Sequence, residues 1–185
     1  MNKPEAPGVP RRVVTGVRNG RSVVVSDGSV PNAHHYTSIP GMMTSVLYAT
    51  AAPPQLPQED VETAPLGMHV PPQPGETRLM IVDFPPDSSL ALPEFDPVAA
   101  DAEQREFIPG LAELFEQDAP GMHRSETVDY GVVLDGEIWL ELDEGDRTHL
   151  KTGDVVVQCG TRHAWRNAGD RTGKMLFVLI GGESK

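Results

Sequence analysis

The stretch GMHRSETVDYGVVLDG at residues 121–136 and the stretch GDVVVQCGTRHAWRN at residues 153–167 decide the fold of this chain. Each combines a short run of valine and other apolar residues with glycines that are typical of tight turns. β-Branched residues favour strands, and glycine supplies the backbone freedom that turns require. The two stretches therefore predict short strands joined by tight turns, and their polar residues are the first candidates for a functional site.

The residues that surround these stretches continue the same pattern to residue 185. All 18 prolines lie at or before Pro120, so every residue of 121–185 keeps its backbone donor. Further short apolar runs, at 137–142 and 175–180, alternate with turn glycines. Short strands at regular spacing predict an all-β fold, an antiparallel double-stranded β-helix or jelly-roll barrel, with its core in residues 121–185.

Residues 1–120 are expected to wrap this barrel with strands, proline-rich loops and a short helix. Arg11–Thr15 and Arg21–Ser26 flank a turn-like segment and predict a β-hairpin. Thr44–Tyr48 and Arg78–Phe84 are rich in β-forming residues and predict two further strands.

Two segments of this N-terminal part lack strand character. Seven prolines in Ala51–Gly75 predict loop or polyproline II structure. Asp96–Gln117 carries leucine and phenylalanine at helical spacing and is interrupted by Pro109-Gly110. This second segment therefore predicts one or two short helices.

Charge and composition exclude several classes of partner. The formal net charge is -12, which opposes binding to nucleic acid and to anionic membrane surfaces. No apolar run approaches the roughly 20 residues that span a bilayer. The single cysteine, Cys159, allows no disulfide within the chain and is typical of a reducing compartment. We therefore expect a cytoplasmic protein whose partner is a small molecule.

The two stretches resemble the cupin superfamily, and the chain is similar to its small single-domain members of the conserved-barrel type. The first cupin motif is G-x5-H-x-H-x3/4-E-x6-G, and the second is G-x5-P-x-G-x2-H-x3-N. His123, Asp129 and Gly136 match the first motif, with aspartate in place of glutamate. The matches to the second motif, with one residue fewer after the first glycine, are Gly153, Gly160, His163 and Asn167.

The chain also departs from these motifs. Ser125 stands where the second histidine of the first motif would be, and Gln158 stands where the second motif has proline. Cupin metal sites usually take three histidines and one glutamate. The resemblance therefore implies a reduced metal site with two histidines and one shorter carboxylate.

Strand parity tests which of these side chains can meet. Residues two apart on a strand share a face, so His123, Ser125, Thr127 and Asp129 are expected to point into the barrel together. The same rule places His163, Trp165 and Asn167 on one face. The predicted metal ligands, which are also the predicted catalytic residues, are His123, Asp129 and His163, and they would bind a divalent Fe, Mn, Zn or Ni ion. The predicted substrate pocket consists of Ser125, Thr127, Trp165 and Asn167.

Several of these residues have a simpler interpretation. The two histidines can be hydrogen-bonded core residues, and Asp129 can orient a histidine instead of binding metal. Parity places Arg124, Arg162, Arg166 and Tyr130 on the outside, and Cys159 is expected to be a small buried residue. The other histidines are expected at the surface: His34, His35, His69 and His149.

Four functions remain open from the sequence. The first is a metal-dependent enzyme that moves a proton within a small oxygenated organic molecule, as a dehydratase, isomerase or lyase. The second is a dioxygenase that uses Fe(II) and O2, and the third is a cupin that binds a small molecule without catalysis. The fourth is a degenerate barrel that serves assembly, with the proline-rich segment as the surface for a partner. A homodimer is expected, because small barrels often cover their strand edges with a second copy.

Overall fold

The computed structural model describes residues 8–30, 32–57, 64 and 67–183. Over these residues the chain forms eleven strands and one α-helix, α1 (Pro97–Phe107). The strands are β1 (Arg11–Arg18), β2 (Arg21–Ser29), β3 (His34–His35), β4 (Met43–Thr50), β5 (Thr77–Phe84), β6 (Thr127–Asp135), β7 (Glu137–Glu141), β8 (Arg147–Lys151), β9 (Val155–Cys159), β10 (Ala164–Arg166) and β11 (Gly173–Gly181). Short 3-10 turns occur at Asp87–Ala91, Ala112–Leu114 and Asp143–Gly145.

Two antiparallel sheets make the barrel. The larger sheet has the strand order β3-β4-β5-β11-β6-β9, and the smaller has the order β10-β7-β8. Their inner faces share one hydrophobic core, in which Met80 and Phe177 of the large sheet join Ile138 and Leu150 of the small sheet. This arrangement confirms the predicted all-β double-stranded β-helix.

The alternation predicted for the first stretch is present in the structure. From His123 to Tyr130 the side chains alternate between buried and exposed, beginning with buried His123. The predicted turn at Gly136 joins β6 to β7 with φ +77°. A Cβ at this position would lie 3.0 Å from the Cα of Gly173, so a close approach of two backbones also requires glycine here.

The N-terminal part contributes strands as predicted. β1 and β2 pair as the expected hairpin, and the two residues between them, Asn19 and Gly20, both have positive φ. β4 and β5 lie within the large sheet, where β5 pairs directly with β11. The large sheet therefore draws strands from both sides of residue 120.

The remaining N-terminal predictions concern loop and helix. The described residues of the proline-rich segment, 51–57, 64 and 67–75, contain no helix or strand, and the rest of that segment lies outside the described residues. α1 begins after Asp96, whose side chain accepts hydrogen bonds from the backbone N–H groups of Val98 and Ala99. It ends just before Pro109-Gly110, which confirms the predicted interruption.

No helix among the described residues is long and apolar enough to cross a membrane.

Candidate functional site

A cavity of about 480 Å³ opens between the inner face of the barrel and α1. This volume lies within the range of small-molecule sites. Most of the lining is apolar and comes from the strands and the loops beside α1, including Met80, Val82, Phe84, Phe115, Phe177 and Leu179. The polar residues of the first motif that reach the cavity are His123, Ser125 and Asp129, and the second motif contributes His163.

The two motif histidines lie opposite each other. The backbone N–H of His123 donates to the carbonyl of His163, and the reverse bond is also made, each at 2.9 Å. This pair of bonds puts both side chains on one face, so the imidazole centroids are 4.4 Å apart. The structure therefore brings together two residues that lie 40 positions apart in the sequence.

Each imidazole is oriented by its own loop. His123 Nδ1 lies 3.0 Å from the carbonyl oxygen of Gly121, and His163 Nδ1 lies 3.1 Å from that of Thr161. A carbonyl oxygen only accepts, so both Nδ1 atoms carry the proton in the neutral rings. The Nε2 atoms of the neutral rings then present lone pairs.

Burial keeps both rings neutral near neutral pH. It lowers the pKa of His123 below its ordinary value, because the positive form loses solvation. Burial and then the repulsion of His123 lower the pKa of His163 to about 4. At pH 7 the pair therefore offers hydrogen-bond acceptors rather than positive charge.

Asp129 is the acidic group of the site. Its side chain is buried, and its Oδ1 atom has no hydrogen-bond partner in the described part of the chain. Burial raises the pKa of Asp129 to about 6, although a hydrogen bond from Thr127 acts in the opposite direction. A carboxyl group in this range has substantial amounts of both protonation states near neutral pH.

The residues between the histidine and the aspartate form a short chain of hydroxyl groups. Ser125 Oγ and Thr127 Oγ1 are 2.7 Å apart, and Thr127 in turn bonds Asp129. Ser125 lines the cavity, whereas Thr127 is buried behind the lining. The predicted pocket residue Thr127 therefore supports the site and does not contribute to its surface.

The donors at the site differ from the predicted metal centre. Among the described residues, no group of three or more His, Cys, Asp or Glu side chains is arranged to hold an ion. Ser125 takes the position of the missing histidine and bonds Thr127. The side chain of Asp129 is one methylene shorter than the glutamate of the motif. The donors present therefore do not fit the three-ligand centre that the sequence predicts.

The other two predicted pocket residues behave differently from each other. Trp165 lines the cavity, and its ring meets that of His163 edge to face, with centroids 5.5 Å apart. Asn167 does not line it, since its amide donates to the carbonyls of Phe84 and Arg171, at 2.8 Å each. Asn167 therefore fixes the loop that follows β10 and is not a pocket residue.

The predictions for the outer residues were confirmed in part. Arg124 and Tyr130 are exposed, as parity requires. Cys159 is exposed and not buried, because it lies on the outward face of the edge strand β9. Arg166 is half-buried and lines the cavity, contrary to the outward placement that parity predicts.

The surface prediction fails for one of the four other histidines. His35, His69 and His149 are exposed. His34 instead lies half-buried, with its Nε2 2.8 Å from Glu103 and its ring stacked on Phe107.

The wall that α1 provides to the cavity does not follow from the sequence motifs. Gln104 and Arg105 of this helix line the cavity, and so does Phe115 beyond it. Glu103 fastens the helix to the loop after β3 by accepting hydrogen bonds from His34, Thr37 and Ser38. The apolar spacing of Leu111 and Phe115 was the available signal, but it predicts a buried face without saying which cavity it faces.

Comparisons with known proteins find one family model and several related chains. Residues 111–179 match the model of the family described as "Cupin domain". A cupin 2 conserved barrel domain protein from Salinispora arenicola is 16% identical, with a TM-score of 0.41, over 80% of this chain and 81% of that chain.

Two fungal relatives have higher identity over shorter stretches. "Phomopsin biosynthesis cluster protein D" of Diaporthe leptostromiformis is 52% identical over 80 residues, which are 40% of this chain and 42% of the relative. A "cupin-domain-containing oxidoreductase" of Aspergillus ruber is 42% identical over 69 residues, 34% of each chain. Each match therefore spans less than half the length of the relative.

Proposed function

Since the chain carries a cupin domain over residues 111–179, we propose that it is a cupin enzyme that transfers a proton within a small organic substrate. One observation carries this proposal. Three ionisable side chains line the same, mostly apolar cavity. One is a buried carboxylate with an unpartnered oxygen, and the other two are imidazoles that use Nδ1 for a backbone hydrogen bond and leave Nε2 for a ligand. Such a set can take up, hold and return a proton beside a bound substrate.

Asp129 is the group that carries the proton. With a pKa raised by burial to about 6, about a tenth of the carboxyl groups are protonated at pH 7. The ionised form can remove a proton from a carbon next to a substrate carbonyl, and the C–H electron pair then moves into the carbonyl as an enolate. Return of the same proton to a different atom completes a tautomerisation or isomerisation, with no change in the number of atoms or electrons.

The histidines position the substrate. Their Nε2 atoms accept hydrogen bonds and so bind a substrate hydroxyl group, while the Nδ1–H groups stay bound to backbone carbonyls. The hydroxyl groups of Ser125 and Thr127 lie between His123 and Asp129 in sequence, and their hydrogen bonds connect Ser125, which lines the cavity, to Asp129. Catalysis in this proposal depends on orientation and on a tuned carboxyl pKa.

An oxidoreductase is the second candidate. The observation that favours it is the name of the Aspergillus ruber relative, a cupin-domain-containing oxidoreductase that is 42% identical over 69 residues. Oxygen uptake and metal content separate this candidate from proton transfer, since a shuttled proton requires neither.

Deuterium labelling tests the proposal even while the natural substrate is unidentified. The protein is incubated in D2O with a set of uncharged enolisable ketones and aldehydes, and mass spectrometry then measures deuterium in each compound. We expect labelling of at least one compound above the uncatalysed rate with the wild-type protein. The Asp129→Asn variant should abolish it.

The matched control is Tyr130→Phe, which changes the next residue of β6 on the exposed face. This control should label the compound at the wild-type rate. Labelling that persists in Asp129→Asn at the same rate would show that the carboxylate is not the proton carrier. A folded wild-type protein that labels nothing in the set would contradict the proposal as a whole.

A further inference from the structure

The cavity lining contains two cationic side chains, Arg105 and Arg166. An arginine in a substrate pocket ordinarily suggests recognition of a carboxylate or a phosphate, because its fork of donors fits those groups. Whether either arginine is available to a ligand depends on what already holds it. Both of these arginines are already paired with carboxylates of the chain.

Arg166 is held at one end of the cavity. Its Nε donates to Glu141 at 2.6 Å, and one of its terminal nitrogens donates to the carbonyl of Pro120 at 2.7 Å. The Glu141 side chain is itself largely buried, and it also receives Arg147 at 3.0 Å. The guanidinium is therefore already paired with a carboxylate, and its orientation is fixed by residues of its own chain.

Arg105 is held on α1. Its Nε donates to Asp101 at 2.7 Å, one helical turn away, and a terminal nitrogen lies 3.8 Å from Glu113. Asp101 and Arg105 both line the cavity and are both partly exposed, so this pair lies toward its mouth. The helix thus presents a neutral pair to an entering ligand.

The remaining lining charges are negative. Asp87, Glu116 and Asp129 line the cavity with no further lysine or arginine among the residues that do so. Glu116 is bound by Arg162, which approaches it from outside the lining. An anionic ligand would therefore meet carboxylates and lose its solvation without gaining a free cation.

We propose, as an extension of the proposed function, that this cavity selects uncharged substrates with an apolar body and a hydroxyl or carbonyl oxygen. Glu141 and Asp101 set this selectivity because each already accepts a hydrogen bond from one of the two arginines. Carboxylic acids and phosphates of the same size are excluded. The apolar lining binds the body of the substrate, and His123, His163 and Asp129 are the groups that meet its oxygen.

Two fluorescent probes that share one skeleton test this proposal. N-phenyl-1-naphthylamine is uncharged, and 8-anilinonaphthalene-1-sulfonate adds one sulfonate to the same rings. We expect the uncharged probe to bind with one site per chain and at least about tenfold more tightly than the sulfonate. Equal or tighter binding of the sulfonate would overturn the proposal.

Substitution of a tryptophan places the probe in the cavity. The chain has two tryptophans, and of these Trp165 lines the cavity whereas Trp139 does not. Trp165→Phe removes part of the lining and should weaken binding of the uncharged probe, while Trp139→Phe should leave its affinity largely unchanged. A loss of affinity in Trp139→Phe instead would place the probe elsewhere and would contradict the proposal.

Release of an arginine should reduce the preference for the uncharged probe. Glu141→Gln frees Arg166 and Asp101→Asn frees Arg105, and each should tighten sulfonate binding about fivefold to tenfold while the uncharged probe binds as before. Glu137→Gln is the matched control on β7, since Glu137 pairs with the exposed His149 and does not line the cavity. A sulfonate affinity that stays unchanged in both variants would refute the role of the pairs.

These binding measurements need no turnover. If the probes show no preference for the uncharged ligand, the selectivity proposal is wrong, but proton transfer by Asp129 is not affected by that result. Conversely, the Asp129→Asn variant can bind the uncharged probe normally and label no substrate. That result would support both the selectivity of the cavity and the separate catalytic role of Asp129.

Discussion

Replacement of Glu103 by glutamine tests how the wall of the cavity is fastened. Glu103 lies on α1, and each of its carboxylate oxygens accepts one backbone N–H, from Thr37 at 3.0 Å and from Ser38 at 2.8 Å. His34 Nε2 and the two hydroxyl groups of the same loop complete the set. One carboxylate therefore joins the helix that covers the cavity to the loop after β3.

The size of the effect follows from this geometry. Glutamine keeps one acceptor oxygen and replaces the other with an NH2 group, so whichever way it points, one backbone N–H faces another donor. An unsatisfied, partly buried donor costs roughly 1–3 kcal/mol, and we expect about 2 kcal/mol here. For a domain of this size that loss lowers Tm by roughly 4–8 °C.

The pH dependence provides a second measurement of the same contact. Burial alone would raise the pKa of Glu103, but the hydrogen bonds from Ser38, Thr37 and His34 outweigh it and lower the pKa to about 2. Stability from the carboxylate is therefore present above its ordinary pKa of 4.5 and is lost as pH falls toward 2. The difference in Tm between wild type and variant should shrink over that interval.

Differential scanning calorimetry at pH 7 and at pH 3 measures both effects. Glu106→Gln is the control, because Glu106 lies on the same helix and is exposed. A Tm for Glu103→Gln equal to that of the control at pH 7 would refute the fastening argument. A Tm difference that grows as pH falls would show that the sign of the pKa argument is wrong.

Three further predictions concern the site and the assembly. Asp129→Asn should raise the free energy of unfolding at pH 7 by about 3 kcal/mol in calorimetry, because burial raises the pKa of Asp129 from 3.8 to about 6 and its ionised form opposes folding. This gain should disappear as pH falls from about 6 to 4, and a loss of stability at pH 7 would contradict the prediction. Mass spectrometry for metals should find less than one transition-metal ion per chain, because no described group of three ligands is present; a stoichiometric ion that is lost in both His123→Ala and His163→Ala would disprove this. The homodimer expected from the sequence should appear in light scattering as twice the mass of the chain, and a monomer at micromolar concentration would end that hypothesis.

Much of the fold was predictable because its signals are local. The absence of proline after residue 120 and the turn glycines identify short paired strands, and alternation within one strand identifies the inward residues His123 to Asp129. Cys159 shows where the local argument ends. In β9 the side chain of Gln158 is buried while Cys159 and Val157 face outward, so the polar residue is inside and the apolar ones are outside. Which residues of an edge strand face inward depends on its register with the neighbouring strand, and the register cannot be derived from composition.

The inward-facing residues of the site were predictable from the sequence only where they lie on a single strand. The pairing of His123 with His163 requires the register between two distant segments, which the motifs imply but spacing alone cannot supply. Asn167 was placed in the pocket by parity, yet β10 ends at Arg166, so the alternation no longer applies to it. Arg166 was misplaced because its long side chain reaches Glu141 and Pro120 around the edge of the sheet. Contacts of this kind depend on tertiary structure.

The energetic position of Asp129 is the strongest link between this structure and a function. A serine or an asparagine at position 129 would be compatible with the barrel fold, and the chain would not lose the stability that a buried carboxylate with an unpartnered oxygen removes. Around Asp129 the described part of the chain provides no cation, although it uses Arg162 to neutralise Glu116, another residue of the cavity lining. Full neutralisation would hold the pKa of Asp129 low and leave a permanent anion, whereas isolation raises it to about 6. Because that isolation costs stability, we interpret it as support for the proposed reaction, which needs both protonation states of one carboxyl group in the same cavity.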